Sequence, residues 1–104
     1  MTQDVFVKVV EDQISYCKEL LGLKGDEYDT SGNDRLHAFK SAAAIQHETQ
    51  KQALAGMMAK HTVSIYDMCA RDESFTREKW IEKISDSINY LLILRAIIEE
   101  ENHV

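Results

Sequence analysis

The sequence contains no proline and only four glycines among 104 residues. Because proline interrupts helices and both residues supply the turns of hairpins, this scarcity favours long helices and leaves little turn chemistry for a β fold. Cys17 and Cys69 form no short-spaced zinc motif, so we expect two reduced core residues, with a disulfide as the alternative. No apolar run approaches membrane length, and Met1 to Phe6 lack a signal-peptide pattern. We therefore expect a cytoplasmic protein with no membrane partner.

Positive charge is also scarce, since 12 lysines and arginines face 18 aspartates and glutamates, for a net charge of −6. Direct nucleic-acid binding depends on a basic surface, so this balance disfavours it. A small phosphorylated ligand stays compatible with the composition, above all one that carries a divalent metal.

The apolar residues of the sequence recur with helical periodicity. It predicts an all-α fold and a single helical domain, 1–104. The four helices are expected at about 4–21, 35–46, 50–71 and 77–101, with an irregular loop at 22–34. Gly22 is a typical helix stop, and Thr49 with Gln52 forms a capping box before the third helix.

The last helix carries two patterns. An apolar face contains Trp80, Ile84, Ile88, Leu91, Leu92 and Ile98. Beyond Asn89 the helix is apolar on every side, and such a helix must be buried on every side. A chain of this length has little other mass to cover it, so we expect a homodimer or higher oligomer, with Leu91 to Ile98 at the interface.

A polar stripe on the same helix consists of Glu82, Asp86 and Asn89, since residues three and four apart are helix neighbours. Carboxylate and amide oxygens are the ligands that hard divalent cations prefer, so this stripe is a candidate metal site. The alternative is a solvated helix face.

His61 lies in the middle of the apolar face of the third helix, with Lys60 and Asp67 nearby. His61 is either a core histidine or a group that orients a carboxylate from a neighbouring helix. Lys60 and Asp67 are expected to flank a phosphate or to complete a metal site, or else to form a polar seam at the edge of the core.

The loop and the start of the second helix mix acidic, basic and aromatic side chains: Lys24, Glu27, Tyr28, Asp34, Arg35, His37 and Lys40. A metal–triphosphate ligand needs this mixture, because carboxylates hold the metal, cations hold phosphate and an aromatic ring stacks on the base. The alternative is a solvated loop with local salt bridges. An EF-hand frame fails because Ala38 occupies its twelfth position, where glutamate is needed. Glycine-rich phosphate loops and the nucleophile motif Gly-x-Ser-x-Gly do not occur.

Four segments together resemble a known group of proteins. They are Lys24-Gly-Asp-Glu27-Tyr28, Asp34-Arg35-Leu-His37-Ala-Phe39-Lys40, Lys60-His61-x-x-Ser64-Ile-x-Asp67-Met and Trp80-x-Glu82-Lys83-x-x-Asp86-x-x-Asn89-Tyr90. This set resembles small helical phage and prophage proteins associated with nucleotide modification, which are distantly similar to the MazG-like all-α nucleoside triphosphate pyrophosphatases. The resemblance spans roughly 24–99.

The resemblance implies a MazG-like four-helix bundle completed by oligomerisation. It also implies a divalent metal on helix carboxylates and cleavage of a nucleoside triphosphate to monophosphate and pyrophosphate. The MazG-like pattern pairs Glu-x-x-Glu on one helix with Glu-x-x-Asp on the next. Asp86 matches the last position, but Lys83 stands three residues before it, with Glu82 one place off. The preceding helix has Lys60, His61 and Asp67 instead of Glu-x-x-Glu.

Two functions follow as hypotheses. The first is a metal-dependent nucleotide-binding protein that hydrolyses a nucleoside triphosphate or serves phage nucleotide metabolism. Its catalytic residues would be Asp86, Glu82 and His61, and Asp86, Glu82 and Asp67 would hold Mg²⁺ or Mn²⁺. Its substrate-binding residues would be Lys24, Glu27, Tyr28, Arg35, His37, Lys40, Lys60 and Asn89. The alternative is a non-catalytic phage or prophage binding or assembly protein, in which the polar seams specify subunit pairing.

Overall fold

A computed structural model describes residues 1–23 and 33–102, and the regular structure there is entirely α-helical, which confirms the predicted all-α class. The helices in that part of the chain are α1 (Gln3–Leu20), α2 (His37–Gln46), α3 (Gln50–Ala70) and α4 (Arg77–Glu101). Each bound lies within two residues of its expected position. The chain divides into two units, Met1–Gly32 and Asn33–Val104.

Helix α1 is defined by its caps. Thr2 Oγ1 accepts a hydrogen bond from the Val5 N–H at 3.3 Å, as an N-cap side chain does. At the other end, Gly22 adopts a φ of 71° and the Leu23 N–H donates to the Lys18 carbonyl at 2.9 Å, which makes a Schellman ending. Gly22 therefore ends the helix as the sequence predicts. The apolar side of α1 is 41–52% exposed at Val5, Phe6, Val9, Val10, Ile14 and Leu20.

The caps of α2 and α3 lie within three residues of each other. His47 ends α2 in the left-handed conformation, with φ at 54°, and the Glu48 N–H donates to the Ala43 carbonyl at 2.9 Å. Thr49 Oγ1 then accepts from the Gln52 N–H at 3.2 Å, while Gln52 Oε1 accepts from the Thr49 N–H at 2.9 Å. The predicted capping box is thus confirmed.

Helix α3 packs against both α2 and α4. The short link from Arg71 to Thr76 returns the chain along α3, as in a helical hairpin. The core between the three helices consists of Leu36, Phe39, Leu54 and Ile97, with Met57, Tyr90, Ile93 and Leu94 packed against it. Leu54 and Ile97 are 1% and 0% exposed, so the centre of this core lies where α3 and α4 meet.

The packed side of α4 differs from its most apolar side. Its buried residues are Ser85, Asn89 and Ile97. The predicted apolar face remains 38–54% exposed at Ile84, Leu91, Leu92 and Ile98. Ser85 fits a tight helix contact because it is small and its Oγ donates within α4, to the Ile81 carbonyl at 2.6 Å.

The two cysteines have different environments and are both free. Cys17 is buried, as expected, and Gln13 Nε2 donates to its Sγ at 3.4 Å. Cys69 is exposed, so its expected place in the core was wrong. Met68 takes the buried position instead, since neighbouring helix residues point about 100° apart. Among the described helices, none has the length and apolarity that a bilayer crossing requires.

His47→Gly should stabilise the protein. A residue with a β-carbon in the left-handed region carries a steric cost that glycine avoids, so we expect the free energy of unfolding to rise by about 0.5–1 kcal/mol. Urea unfolding followed by circular dichroism measures it. His47→Ala keeps the β-carbon and should give no such gain; an equal gain from alanine would contradict the strain assignment.

Candidate functional site

A cavity of about 370 Å³ opens beside the α3–α4 contact, and we call it the histidine cavity. Three elements contribute to its wall. Its lining residues are Arg35, Ala38 and Phe39 at the start of α2, His61 on α3, and Asp86, Asn89, Tyr90 and Ile93 on α4. The α4 residues recur at spacings of three and four, so they form one side of that helix.

His61 and Asp86 face each other across the seam between α3 and α4. The distance from His61 Nδ1 to Asp86 Oδ2 is 3.7 Å, within ion-pair range but longer than a hydrogen bond. The Tyr90 ring lies 5.1 Å from the His61 ring, centroid to centroid, at an angle of 41°. His61 is therefore fixed between a carboxylate and an aromatic ring, and its side chain keeps 18% exposure. This arrangement matches the predicted role of a histidine that orients a carboxylate from another helix, a role that stays a prediction.

Asn89 contributes an unusual polar group to the same wall. The residue is only 9% exposed, and its Oδ1 is buried without a hydrogen-bond partner among the described residues. Leaving a buried acceptor unpaired costs about 1–3 kcal/mol. Most buried polar groups are paired, so an exception calls for a physical reason, and a ligand that supplies the missing bond is one such reason.

The wall of the histidine cavity before and at the start of α2 combines charge and apolar surface. Arg35 lines this wall, and its guanidinium is a group suited to paired hydrogen bonds with phosphate or carboxylate. Phe39 is 7% exposed and forms part of the core, so it gives this wall a fixed aromatic edge. Ala38 lies on this wall too, and Ile93 adds apolar surface from α4. The cavity thus offers a cation, a carboxylate, an imidazole, an amide and an apolar surface to one ligand.

Several predicted site residues lie elsewhere. Glu82 is exposed one turn before Asp86 and does not line the histidine cavity. Asp67 lines a second cavity with Lys79 and Lys83. Lys60 lines a third, of about 350 Å³, with Gln46, Ala53, Gly56 and Met57. Lys24, Glu27 and Tyr28 fall outside the described residues.

Lys40 and His37 make contacts within the protein. Lys40 Nζ lies 2.7 Å from Asp34 Oδ2 and 2.8 Å from Glu100 Oε1, and His37 Nε2 lies 3.4 Å from Ser41 Oγ. Lys40 therefore links the residues before α2 to the end of α4. Its predicted contact with phosphate would compete with these two carboxylates.

The Lys40 contacts change two pKa values. The hydrogen bond from Lys40, helped by one from the Leu36 N–H, lowers the pKa of Asp34 below its ordinary 3.8. Hydrogen bonds to Asp34 and Glu100 raise the pKa of Lys40 above 10.5. The Asp34 contribution to stability is thus present above its ordinary pKa and lost as the pH falls through its lowered pKa. The Lys40 contribution is present below 10.5 and lost as the pH rises through its raised pKa. Since both groups are exposed, water screens the pair.

The described residues do not form a complete metal centre. Within 1–23 and 33–102, no three histidine, cysteine, aspartate or glutamate side chains come together at ligand spacing. Asp86, Glu82 and Asp67 are therefore not assembled as one ligand set. Mg²⁺ commonly binds one or two carboxylates together with the phosphates of a substrate. A metal held by Asp86 together with a substrate phosphate therefore stays a prediction.

Comparison with known proteins adds no relative. No family model, curated protein or solved structure matches this chain. The MazG-like resemblance accordingly stays a prediction based on its motifs.

The structure also adds cavity residues that the sequence analysis did not assign to the site. Tyr90 and Ile93 line the histidine cavity beside Asp86 and Asn89. Their spacing from Asp86, four and seven residues, is the signal that places them on that side of α4. Ile93 was instead expected at the subunit interface, because the stretch from Leu91 to Leu94 is apolar at every position.

Asn89→Leu should make the protein more stable. The change removes a buried unpaired amide and keeps a side chain of similar size, so we expect the free energy of unfolding to rise by about 1 kcal/mol. Urea unfolding measures it. Asn89→Asp is the matched comparison and should lower stability, because it buries a carboxylate. A loss of stability in Asn89→Leu would show that the amide has a structural partner.

Proposed function

We propose that this chain binds a nucleotide in the histidine cavity. The observation that carries the proposal is the convergence of Arg35, His61, Asp86 and Asn89 on one cavity with an aromatic wall, where Asn89 Oδ1 is buried and has no partner among the described residues. Phosphate oxygens suit the Arg35 guanidinium. The base or sugar supplies polar groups for Asn89, and its ring packs against Phe39 and Tyr90.

Asp86 and His61 form the reactive part of the proposed site. Asp86 is the carboxylate that would hold a Mg²⁺ or Mn²⁺ carried by the nucleotide, and that metal would neutralise phosphate charge. His61 would accept a proton from a water that attacks the α-phosphorus of the triphosphate, and the bond from that phosphorus to the α–β bridging oxygen would break, so that pyrophosphate leaves. The proposed products are a nucleoside monophosphate and pyrophosphate. Hydrolysis and the MazG-like relationship rest on the sequence motifs, whereas binding rests on the cavity.

Nucleoside triphosphates with Mg²⁺ or Mn²⁺ should raise the melting temperature of the purified chain. A ligand at 100 times its Kd stabilises the folded state by about 2.7 kcal/mol. We expect Asp86→Asn to weaken binding of the metal–nucleotide by about tenfold or more and to stop release of monophosphate and pyrophosphate, because it removes the one carboxylate among the described residues of the cavity.

Asp72→Asn is the matched control, since Asp72 is exposed in the link between α3 and α4 and lies outside the histidine cavity. It should bind and hydrolyse like the parent chain. No thermal shift and no turnover with any nucleotide would rule out the proposed function. If nucleotides raise the melting temperature equally in the parent chain and in Asp86→Asn, and neither hydrolyses them, the protein binds nucleotides without catalysis and Asp86 is not part of the binding site.

A second candidate is a non-catalytic binding or assembly protein on the same scaffold. The observation that favours it is the exposed apolar side of α4, where Ile84, Leu91, Leu92 and Ile98 are 38–54% exposed. Residues 84, 91 and 98 repeat every seven positions, the spacing of a helix–helix seam. We propose that a second copy of the chain covers this side, so that the protein is a homodimer or higher oligomer.

Leu91→Lys should reduce the oligomer to monomers, because it places a charge at the 54% exposed centre of this apolar side. Analytical ultracentrifugation measures the mass. Val63→Lys is the control, because Val63 is a 58% exposed apolar residue on α3. It should leave the mass unchanged. A parent chain that sediments as a monomer would contradict the assembly proposal, as would an equal effect of both variants.

A further inference from the structure

A second cavity lies where the end of α3 meets the start of α4, and we call it the lysine cavity. Its volume is about 190 Å³. The lining residues are Ser64, Asp67, Met68, Arg71, Phe75, Lys79 and Lys83. Among the described residues, three cations therefore line a space that one carboxylate also lines, in a chain whose net charge is −6. This local excess of positive charge is opposite to the charge of the whole chain.

Each of the two helices contributes cavity residues from one of its sides. Ser64 and Asp67 are three residues apart on α3, so they share one side of that helix, and Arg71 follows at its C-cap. Lys79 and Lys83 are four residues apart on α4 and likewise share a side. The cavity is thus formed by one side of each helix together with Arg71 and Phe75 of the short link that joins them.

Phe75 gives the cavity a fixed aromatic edge. Its ring meets Trp80 edge to face, at 5.9 Å between centroids and 89° between planes. Lys79 Nζ lies 5.0 Å from the centre of the Phe75 ring, within range of a cation–π contact. The aromatic pair therefore holds one of the three cations at the cavity.

The charges of the lysine cavity are incompletely balanced inside the protein. Arg71 Nη1 lies 3.6 Å from Glu73 Oε2, but the side chains of both residues are more than half exposed, so the pair is screened by water. Among the described residues, no carboxylate lies within ion-pair distance of Lys79 or Lys83. Asp67 can balance only one of the three cations. A bound anion would relieve the repulsion that remains.

The donor set indicates the class of that anion. Arginine offers a planar pair of N–H donors, lysine offers a mobile ammonium, and the Ser64 hydroxyl adds a neutral donor. Phosphoryl groups present several acceptor oxygens and more than one negative charge, which this set matches better than a single carboxylate would. The volume equals that of about six water molecules, room for a small inorganic anion.

We infer that the lysine cavity binds an inorganic phosphoryl anion of the size of pyrophosphate. Arg71, Lys79 and Lys83 hold its oxygens, and Asp67 limits the affinity by repelling it. No described residue lines both the lysine cavity and the histidine cavity, so this inference stands or falls separately from the proposed function.

Pyrophosphate titrated into the full chain without divalent metal tests the inference, with binding followed by amide NMR and calorimetry. We expect the largest shifts at Ser64, Arg71, Lys79 and Lys83. Lys83→Gln and Lys79→Gln should each weaken binding by about fivefold or more, because each removes a charged donor. Asp67→Asn should tighten binding by about threefold or more, because it removes a negative charge from the wall.

Lys8→Gln is the matched control, since it makes the same change in net charge on α1. This variant should alter the Kd for pyrophosphate by less than about twofold. Melting curves verify that each variant is folded, and Lys79→Arg should retain binding. The inference is overturned by any of three results: no binding of pyrophosphate, equal weakening by Lys8→Gln and Lys83→Gln, or shifts confined to the histidine cavity.

Discussion

The contact between α3 and α4 is the constraint on which the rest of the structure depends. It buries Leu54 and Ile97 completely, yet α4 enters it with Ser85 and Asn89 as well as apolar side chains. A polar residue in a helix contact needs a partner, and Ser85 finds one in its own helix. Asn89 does not find one for its Oδ1 among the described residues. The fold therefore fixes a buried amide oxygen without a described partner on the same side of α4 as Asp86, at a cost in stability.

Sequence periodicity predicts the helices well because several helix ends have local chemistry: Thr2, Thr49 and Thr76 act as caps, and Gly22 is a stop. Periodicity does not predict which side of α4 is buried. Apolar residues surround that helix beyond Asn89, so the pattern favours the side with most isoleucine and leucine. The structure instead packs the side with the small Ser85 against α3 and leaves Leu91 54% exposed. The choice depends on how closely two helices approach, which a single sequence does not encode locally.

The candidate site was likewise predicted from the sequence only in part. Residues on one helix, such as Asp86 and Asn89, were placed together by their spacing. The pairing of His61 with Asp86 requires the packing of two helices, and the structure brings them to 3.7 Å. Asp67 and Glu82, which the motif comparison joined to Asp86, lie outside the histidine cavity. Lys83, which stands where the MazG-like pattern has a glutamate, lines the lysine cavity instead. The seam between α3 and α4 thus carries two cavities of different charge, one built around a carboxylate and one around cations.

The most direct test of the central claim is the NMR signal of the histidine rings during a nucleotide titration with Mg²⁺. Of the histidines at 37, 47 and 61, only His61 lines the histidine cavity. The account predicts that the His61 ring signals move in proportion to bound nucleotide, while those of His37 and His47 stay in place. Nucleotide binding that leaves the His61 signals unchanged would contradict it.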